Sequence, residues 1–357
     1  MVKKFLKWLI LGLCLLVFTS ALAWLLAPVT AESWQADPNP GLTGVFSRNN
    51  MLASVEQIVT PGIGPEAVTC AADGSYWTGL EDGRILRIDI DESVSEIANT
   101  GGRPLGMKFD AAGNLIIADA VKGLISVDPG GSVTVLADSH AGVPMLFVDD
   151  LDIDNRGRIW FSDASQRYSF DQSMLDFLEG SRTGRLMSYD PATGETAVHM
   201  TGLFFANGVA MGPNKQWLLI NETGTGRIHR YWVEGPRAGD SEIFIKELPG
   251  TPDNVTFDGI ETFWVSMPSL RAALDDLSDK PVLRQIVSAL PDSLHSSAAT
   301  ITSFVIGINL NGEVTHNLQD QAGGYHYITS AIACDGELWL GSLAMESVAR
   351  MPLPITN

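Results

Sequence analysis

The chain has 357 residues, 45% of them hydrophobic, and carries 42 acidic against 23 basic side chains, for a formal net charge of −19. This excess of acid argues against nucleic-acid binding, because phosphates are bound by basic surfaces. The length would allow two average domains, but the repeats described below predict one closed domain behind a leader.

Residues 1–31 predict a membrane leader. Three lysines lie within the first seven residues, residues 8–27 are uncharged, and the first acidic residue is Glu32. This charge order places the amino end in the cytoplasm and the rest of the chain on the extracytoplasmic side. The uncharged run matches the ~20 residues that span a bilayer, which favours an uncleaved signal anchor. Val29-Thr30-Ala31 would suit a signal peptidase, so a cleaved leader and a secreted protein stay open.

Residues 32–54 follow as a predicted linker. As far as Arg48 they are polar and rich in Pro and Gly, which is the composition of a stalk between a membrane and a domain.

Residues 55–357 contain a hairpin pattern that occurs six times. The fullest copy spans residues 147–163: it alternates apolar and polar residues, turns at 154–157 and resumes as an apolar run, as two antiparallel strands do. Second hairpins, such as 83–89, follow several copies, so each repeat holds about four strands. Repeats of this kind predict an all-β fold, a six-bladed β-propeller around a central channel.

Two insertions interrupt the repeats. Residues 169–182 predict a short helix near one face. Residues 268–303 place leucines and isoleucines at near-helical spacing and are a candidate lid. A helix that merely packs on the propeller is an equally good interpretation of this second insertion.

Cys70 and Cys334 occupy equivalent positions in the first and last repeats. A disulfide there would seal the ring, but equivalent positions in neighbouring blades are expected to exceed the ~7 Å between Cα atoms that a bridge tolerates. We therefore predict two small buried thiols and no disulfide.

One position of the repeat carries oxygen ligands. Alignment of the six hairpins brings Glu66, Leu105, Asp149, Asn207, Asp253 and Ser330 to one structural position, with Asn254 beside Asp253. Equivalent positions converge on the axis of a propeller, and three buried carboxylates there would repel one another without a cation. All-oxygen ligands of irregular geometry favour Ca2+, and the absence of Cys and His at this position argues against zinc. The alternative is that these side chains only cap turns.

Eight short motifs, spread over nearly all of the chain after the leader, form a more specific pattern. They are Gly102-Arg103-Pro104-Leu105-Gly106, Phe147-Val148-Asp149-Asp150-Leu151, Phe161-Ser162-Asp163-Ala164-Ser165, Thr183-Gly184-Arg185-Leu186, Ala206-Asn207-Gly208-Val209, Arg230-Tyr231-Trp232, Pro252-Asp253-Asn254-Val255 and Leu340-Gly341-Ser342-Leu343. Together they resemble the strictosidine synthase-like family, and most closely its branch of adipocyte plasma membrane-associated proteins. The family is related to paraoxonases, gluconolactonases and diisopropyl fluorophosphatases. The resemblance implies a calcium-dependent propeller that hydrolyses lactones or aryl esters, often on a single-pass membrane anchor.

The resemblance also implies site residues, with two departures from the related enzymes. Glu66, Asn207, Asp253 and Asn254 match calcium ligands of the wider group, and Asp149 stands where relatives usually have Asn. The histidine pair of paraoxonases would require His near Leu105 and Ala120, and the glutamate of true strictosidine synthases would lie within residues 325–330. None of these residues is present. The paraoxonase mechanism is therefore not assumed, and strictosidine synthase activity is not expected.

The residues and the resemblance together predict a calcium-dependent hydrolase of small carboxylic esters or lactones. In this hypothesis Ca2+ polarises the carbonyl and Asp253 acts as base or nucleophile, with His326 as an auxiliary base. The alternative is a non-catalytic propeller displayed on the membrane, which binds a partner and uses calcium only to hold its blades together. The sequence does not predict the oligomeric state.

Overall fold

In the computed structural model of the chain, residues 2–291 and 300–354 are described. A leading helix is followed by six four-stranded antiparallel sheets, which form a six-bladed β-propeller. The fold predicted from the repeats is confirmed. The part of the second insertion that spans residues 292–299 lies outside the described residues.

The first two blades are regular four-stranded meanders, preceded by one strand that belongs to the last blade. That strand is β1 (Glu56–Val59). Blade one is β2 (Val68–Cys70), β3 (Tyr76–Gly79), β4 (Arg84–Ile88) and β5 (Val94–Asn99), and blade two is β6 (Pro104–Phe109), β7 (Leu115–Asp119), β8 (Gly123–Val127) and β9 (Val133–Ala137).

Blades three and four follow after a small strand pair, β10 (Ser139–His140) with β11 (Val143–Pro144). Blade three is β12 (Val148–Ile153), β13 (Ile159–Asp163), β14 (Gly184–Asp190) and β15 (Glu195–Leu203), and blade four is β16 (Ala206–Met211), β17 (Trp217–Glu222), β18 (Arg227–Trp232) and β19 (Ser241–Ile245).

Blade five contains the larger insertion, and blade six joins the two ends of the propeller. Blade five is β20 (Val255–Phe257), β21 (Thr262–Ser266), β24 (Phe304–Asn309) and β25 (Val314–Gln319), with the strand pair β22 (Ser269–Leu270) and β23 (Thr300–Ile301) in its insertion; blade six is β26 (Ile328–Cys334), β27 (Glu337–Ser342), β28 (Ser347–Pro352) and β1. Glu56 pairs with Arg350 and Val59 with Ser347, so the start of the propeller is hydrogen-bonded to its end.

The hairpin that begins blade three shows why these residues form a blade. Asp154 Oδ1 accepts hydrogen bonds from the backbone N–H groups of Arg156 and Arg158, and Gly157 supplies the positive φ (79°) that closes the turn. Every residue of the apolar strand β13 is buried. A strand that is covered on both faces by neighbouring blades is expected to be apolar on both faces.

Within residues 2–291 and 300–354, four α-helices accompany the propeller. They are α1 (Val2–Leu25), α2 (Ser173–Glu179), α3 (Ala272–Asp275) and α4 (Pro281–Ser288), and short 3-10 turns occur at Gly44–Phe46, Phe170–Gln172, Pro213–Lys215 and Thr223–Thr225. Among the described helices, α1 is the one long and apolar enough to cross a membrane, and its spanning segment, Lys4–Leu25, is not buried in the protein. The helix agrees with a signal anchor. The predicted helices in both insertions are present.

Residues 32–49 do not form a free stalk but lie along the propeller as a strap. The guanidinium of Arg284, on α4, lies 4.2 Å from the ring centroid of Trp34 and donates to the backbone oxygens of Leu178 and Glu32. Arg271, which is 1% exposed, donates in the same way to the backbone oxygens of Asp37 and Pro38. The polar composition of the strap was therefore misleading, because buried arginines of the insertion satisfy its carbonyl groups.

Cys70 and Cys334 form a disulfide, which corrects the prediction of two free thiols. Their Cα atoms are 6.4 Å apart, within the range that a bridge tolerates. The prediction overestimated the distance between equivalent positions in neighbouring blades. Both residues end inner strands, β2 and β26, where neighbouring blades lie close together near the axis.

Candidate active site

The amino-terminal ends of the inner strands bring six side chains to one layer at the mouth of the channel. Each blade contributes one residue to this layer, which we call its ring residue. In blades two, three and four the ring residue directly follows a residue that pairs with the next strand. These pairs are Pro104 with Asp119, Val148 with Asp163, and Ala206 with Glu222. A β-bulge follows in each case and turns the ring residue toward the axis. The ring residues are Glu66, Leu105, Asp149, Asn207, Asp253 and, in blade six, Thr329.

Thr329 replaces the predicted Ser330 as the ring residue of blade six. In blade six Ile328 pairs with Ser342 and Ala331 with Leu340, as Val148 pairs with Asp163 and Leu151 with Phe161 in blade three. Thr329 in blade six therefore corresponds to Asp149 in blade three. The sequence alignment was one residue out because it counted along the strand without knowing where the bulge lies.

Hydrogen bonds connect ring residues of different blades. Asn254 Nδ2 donates to Glu66 Oε1 over 2.8 Å, and Asn207 Nδ2 donates to Asp253 Oδ1 over 2.5 Å. Thr329 Oγ1 donates to the backbone oxygen of Glu66 over 2.7 Å. The structure therefore brings the predicted ligands of four blades together.

The carboxylates of the ring are buried and share one region of space. Burial raises the pKa of Glu66 to about 7, and burial together with repulsion from the other ring carboxylates raises the pKa of Asp149 and of Asp253 well above the usual range. Burial likewise raises the pKa of Asp150, the residue after Asp149. Such groups are stable as anions only when a cation or hydrogen-bond donors compensate their charge.

Three buried oxygens of this layer lack a hydrogen-bond partner: Glu66 Oε2, Asn207 Oδ1 and Asn254 Oδ1. Buried polar atoms in proteins normally have partners, and carboxylate and amide oxygens are the ligands that Ca2+ prefers. The residues therefore fit a bound calcium ion. Within residues 2–291 and 300–354, no group of three or more His, Cys, Asp or Glu side chains is arranged to hold a metal ion without other ligands.

Below the ring the channel is narrow. A cavity of about 30 Å3 is lined by residues of all six inner strands, among them Asp150, Asn254 and Ser330. Asp150 and Asp152 accept hydrogen bonds from the backbone N–H groups of Val209 and Met211 in the next blade, so they join blades three and four. A cavity of this size admits about one water molecule and no substrate.

Aromatic side chains cover the mouth above Asp149 and Asn207. Phe147 and Phe205 lie two residues before these ring residues, and their ring centroids are 5.2 Å apart. From the first insertion, Phe170 meets Phe147 edge-to-face at 5.5 Å and Phe177 stacks on Phe205 at 4.7 Å. The first insertion thus lies over the site.

Tyr327 lies within the electrostatic influence of Asp253. The negative charge of Asp253, in addition to burial, raises the pKa of Tyr327. His326 Nδ1 lies 3.0 Å from the backbone oxygen of Gly323, and the described contacts of the imidazole do not include a ring residue. Tyr327 has a positive φ of 55°, which turns the chain just before β26. Sequence reasoning missed it because it singled out the residue type best known as a base.

Sequence reasoning also gave no role to Arg103, although it quoted the motif around it. Arg103 is 3% exposed, and the charges of Glu66 and Asp149 act on its guanidinium. It lies two positions before Leu105, as Phe147 lies two positions before Asp149. This spacing from the ring residue could have identified Arg103 from the sequence.

The chain matches two family models, one described as strictosidine synthase over residues 149–236 and one as strictosidine synthase-like, N-terminal, over residues 44–88. Strictosidine synthase-like protein 6 of Arabidopsis thaliana is 36% identical over 81% of this chain and 79% of its own length. The adipocyte plasma membrane-associated protein of Gallus gallus is 32% identical over 91% and 84%, respectively.

Solved structures show the same fold at low identity. A gluconolactonase from Xanthomonas campestris has a TM-score of 0.64 and 16% identity, covering 91% of this chain and 98% of its own. A calcium-binding regucalcin from Agrobacterium tumefaciens has a TM-score of 0.59 and 13% identity, covering 83% and 93%. With relatives above 30% identity along most of its length, the chain belongs to the strictosidine synthase-like family.

Proposed function

We propose that the protein is a calcium-dependent hydrolase of carboxylic esters or lactones. The observation that carries the proposal is the layer of buried ring carboxylates with three unpartnered oxygens, on Glu66, Asn207 and Asn254, at the mouth of a propeller channel. The structural relatives include a gluconolactonase and a calcium-binding protein, which supports this class of chemistry.

Glu66, Asp149, Asn207, Asp253 and Asn254 would hold the ion. When bound, Ca2+ supplies positive charge that polarises a carbonyl group and offsets the negative charge that develops on its oxygen. Asp149 in place of a neutral amide adds a negative charge to the ligand set, and this is expected to strengthen cation binding.

Asp253 is the proposed base or nucleophile. Asn207 donates to its Oδ1 and Asn221 donates to its backbone oxygen, so the side chain is fixed in orientation. As a base, the carboxylate takes a proton from water, the hydroxide oxygen bonds to the carbonyl carbon, and the C–O bond to the leaving alcohol breaks as that oxygen gains a proton. As a nucleophile, it attacks the carbonyl carbon itself, and the C–O bond to the alcohol breaks as that oxygen gains a proton. Water then cleaves the resulting anhydride, which releases the acid and regenerates the Asp253 carboxylate.

The apolar leader and the disulfide support the predicted location. A structural disulfide persists in oxidising compartments. The charges that flank α1 favour an orientation with the propeller on the extracytoplasmic side. We propose a membrane-anchored propeller with its small-molecule site outside the cytoplasm.

The test is hydrolysis of phenyl acetate and of five- and six-membered lactones by the full chain in detergent. Rates are measured with Ca2+, with chelator and after calcium is restored. We expect activity that is lost and regained with the ion, and absent in Asp253→Asn. Asp258→Asn is the matched control, because it lies in the same blade and its side-chain oxygen can still accept the three backbone N–H bonds of its turn.

The same experiment decides against the proposal in one clear case. If the folded, calcium-loaded protein hydrolyses none of these compounds while chelation lowers its melting temperature, the ion is structural. The non-catalytic, partner-binding propeller then becomes the better description.

A further inference from the structure

A second layer of side chains lies directly above the ring. Counting two residues back from each ring residue gives Gly64, Arg103, Phe147, Phe205, Thr251 and Tyr327, which we call the wall. Contacts show that the wall is continuous in part: Arg103 Nη1 donates to the backbone oxygen of Gly64 over 2.9 Å, and Phe147 packs on Phe205. Of the six residues three are aromatic and one, Arg103, is a cation.

Arg103 is a buried cation without a carboxylate partner. Its Nε atom is buried and has no hydrogen-bond partner. Among the described residues, no carboxylate oxygen forms a salt bridge with its guanidinium, whereas the equally buried Arg185 pairs with Asp163 at 2.8 Å. Burial lowers the pKa of this guanidinium, because a buried charge is costly. The charges of Glu66, Glu81, Asp119 and Asp149 act in the opposite direction, but none of these carboxylates forms a described salt bridge with Arg103.

Local structure holds this unpaired guanidinium in place. Asp119 Oδ1 accepts the backbone N–H of Arg103 at 3.0 Å, together with those of Val121 and Lys122. These bonds hold the main chain around Arg103, and they do not involve its guanidinium. A Cβ at Gly64 would lie 3.1 Å from Arg103 Nη2, so only glycine leaves ordinary room beside the guanidinium.

The covering side chain comes from the first insertion. The guanidinium carbon of Arg103 lies 5.7 Å from the ring centroid of Phe170, and Phe170 is only half-buried. The proposal below requires that Phe170 move aside so that a ligand can reach Arg103. Phe147, Phe205 and Tyr327 would then remain as the apolar part of the wall.

We propose that Arg103 binds a free carboxylate of the substrate, while the aromatic part of the wall packs on its apolar body. The substrate class is thus an ester or lactone that carries a separate carboxylate group on an aromatic or apolar frame. The ester part rests on the proposed function, whereas recognition of the carboxylate does not. Arginine suits this role because its planar fork can donate two parallel hydrogen bonds to a carboxylate.

The first arm of the test measures binding without catalysis. Benzoate and its neutral analogue benzamide are titrated by calorimetry into the calcium-loaded full chain in detergent. We expect wild type to bind benzoate more tightly, and Arg103→Gln to weaken benzoate binding by about 10- to 100-fold with little change for benzamide. Arg103→Lys keeps the charge but loses the planar guanidinium, so its affinity for benzoate should lie between those of wild type and Arg103→Gln.

Arg185→Lys is the matched control, because Arg185 is as buried as Arg103 but already paired. It should leave the preference for benzoate unchanged. Equal binding of benzoate and benzamide by wild type, or an unchanged preference in Arg103→Lys and Arg103→Gln, would overturn the proposal. If Arg103→Gln fails to fold, the wild-type preference and Arg103→Lys decide.

The second arm compares hydrolysis of 4-acetoxybenzoate with that of its methyl ester. Both contain the same acetyl ester and differ in the remote carboxylate. We expect kcat/KM to favour the anionic compound in wild type and not in Arg103→Gln. If neither ester is cleaved but benzoate binding depends on Arg103, the hydrolase proposal fails and this inference stands. If both esters are cleaved at equal rates, the hydrolase proposal stands and this inference fails.

Discussion

The side-chain amide of Asn254 donates a 2.8 Å hydrogen bond to Oε1 of Glu66, although the two residues are 188 positions apart in the sequence. The bond joins blade five to blade one across blade six. It also leaves Glu66 Oε2 and Asn254 Oδ1 without partners, at the place where we expect the cation.

Glu66→Gln should weaken Ca2+ binding by at least about tenfold and raise the melting temperature of the calcium-free protein. The amide removes an anionic ligand, but it also removes a buried charge that repels Asp149 and Asp253. Calorimetry with Ca2+ and thermal melts in chelator measure the two effects. Glu81→Gln, an exposed change in the same blade, serves as control. Unchanged calcium affinity in Glu66→Gln would rule out Glu66 as a ligand.

Tyr327→Phe should lower kcat/KM for ester hydrolysis by about tenfold, whereas His326→Gln should change it by less than about threefold. The charge of Asp253 acts on Tyr327, and His326 Nδ1 contacts a backbone oxygen with which a glutamine amide can also hydrogen-bond. Steady-state rates with phenyl acetate decide between them. The reverse order of effects would restore His326 as the auxiliary base.

Replacing Cys70 and Cys334 by alanine should lower the free energy of unfolding by about 2 to 5 kcal/mol, because the disulfide closes a long loop in the unfolded chain. Urea unfolding of the full chain in detergent measures the change. Reductant should destabilise wild type and leave the double variant unaffected. Cys14→Ala, which removes the exposed cysteine of the leader, should behave like wild type.

Asp176 predicts a pH dependence of stability. Both of its carboxyl oxygens are buried without a hydrogen-bond partner, although the hydroxyls of Ser165 and Ser181 lie nearby, and burial raises its pKa from 3.8 to about 7. The folded state therefore holds the proton more tightly than the unfolded chain, and the stability of wild type falls as the pH rises from about 4 to 7.

Asp176→Asn stays neutral and should escape this loss. We expect the melting temperature of Asp176→Asn to exceed that of wild type by a margin that grows from pH 5 to pH 8. Asp171→Asn, an exposed change in the same insertion, should show no such trend. A constant margin across the pH range would mean that Asp176 is already ionised at pH 5.

The sequence was sufficient for the architecture because each blade repeats the same local signals. Alternating apolar residues and Asp-Gly turns act over a few residues, so the hairpin at 147–163 could be recognised without its neighbours. The ring of oxygen ligands could be predicted as well, because equivalent positions of the repeats converge on the axis of a propeller.

The errors arose where packing between distant segments decides. Thr329 replaced Ser330 through a β-bulge, which depends on pairing between strands. The strap was taken for a stalk because Arg271 and Arg284, which satisfy its carbonyl groups, lie more than 230 residues away. The bridge between Cys70 and Cys334 depends on how closely inner strands approach near the axis, a distance that residue order does not contain.

The pairing of β1 with β28 sets the order of events during synthesis. Strand β1 leaves the ribosome early, but its partner follows roughly 290 residues later, which at ~5 to 20 residues per second is a delay of about 15 to 60 s. Until then β1, the outer strand of blade six, has no partner, and both ends of the growing stack of blades stay open. The nascent protein therefore needs protection from aggregation for most of its translation, and truncation of even its last dozen residues should leave the ring unclosed.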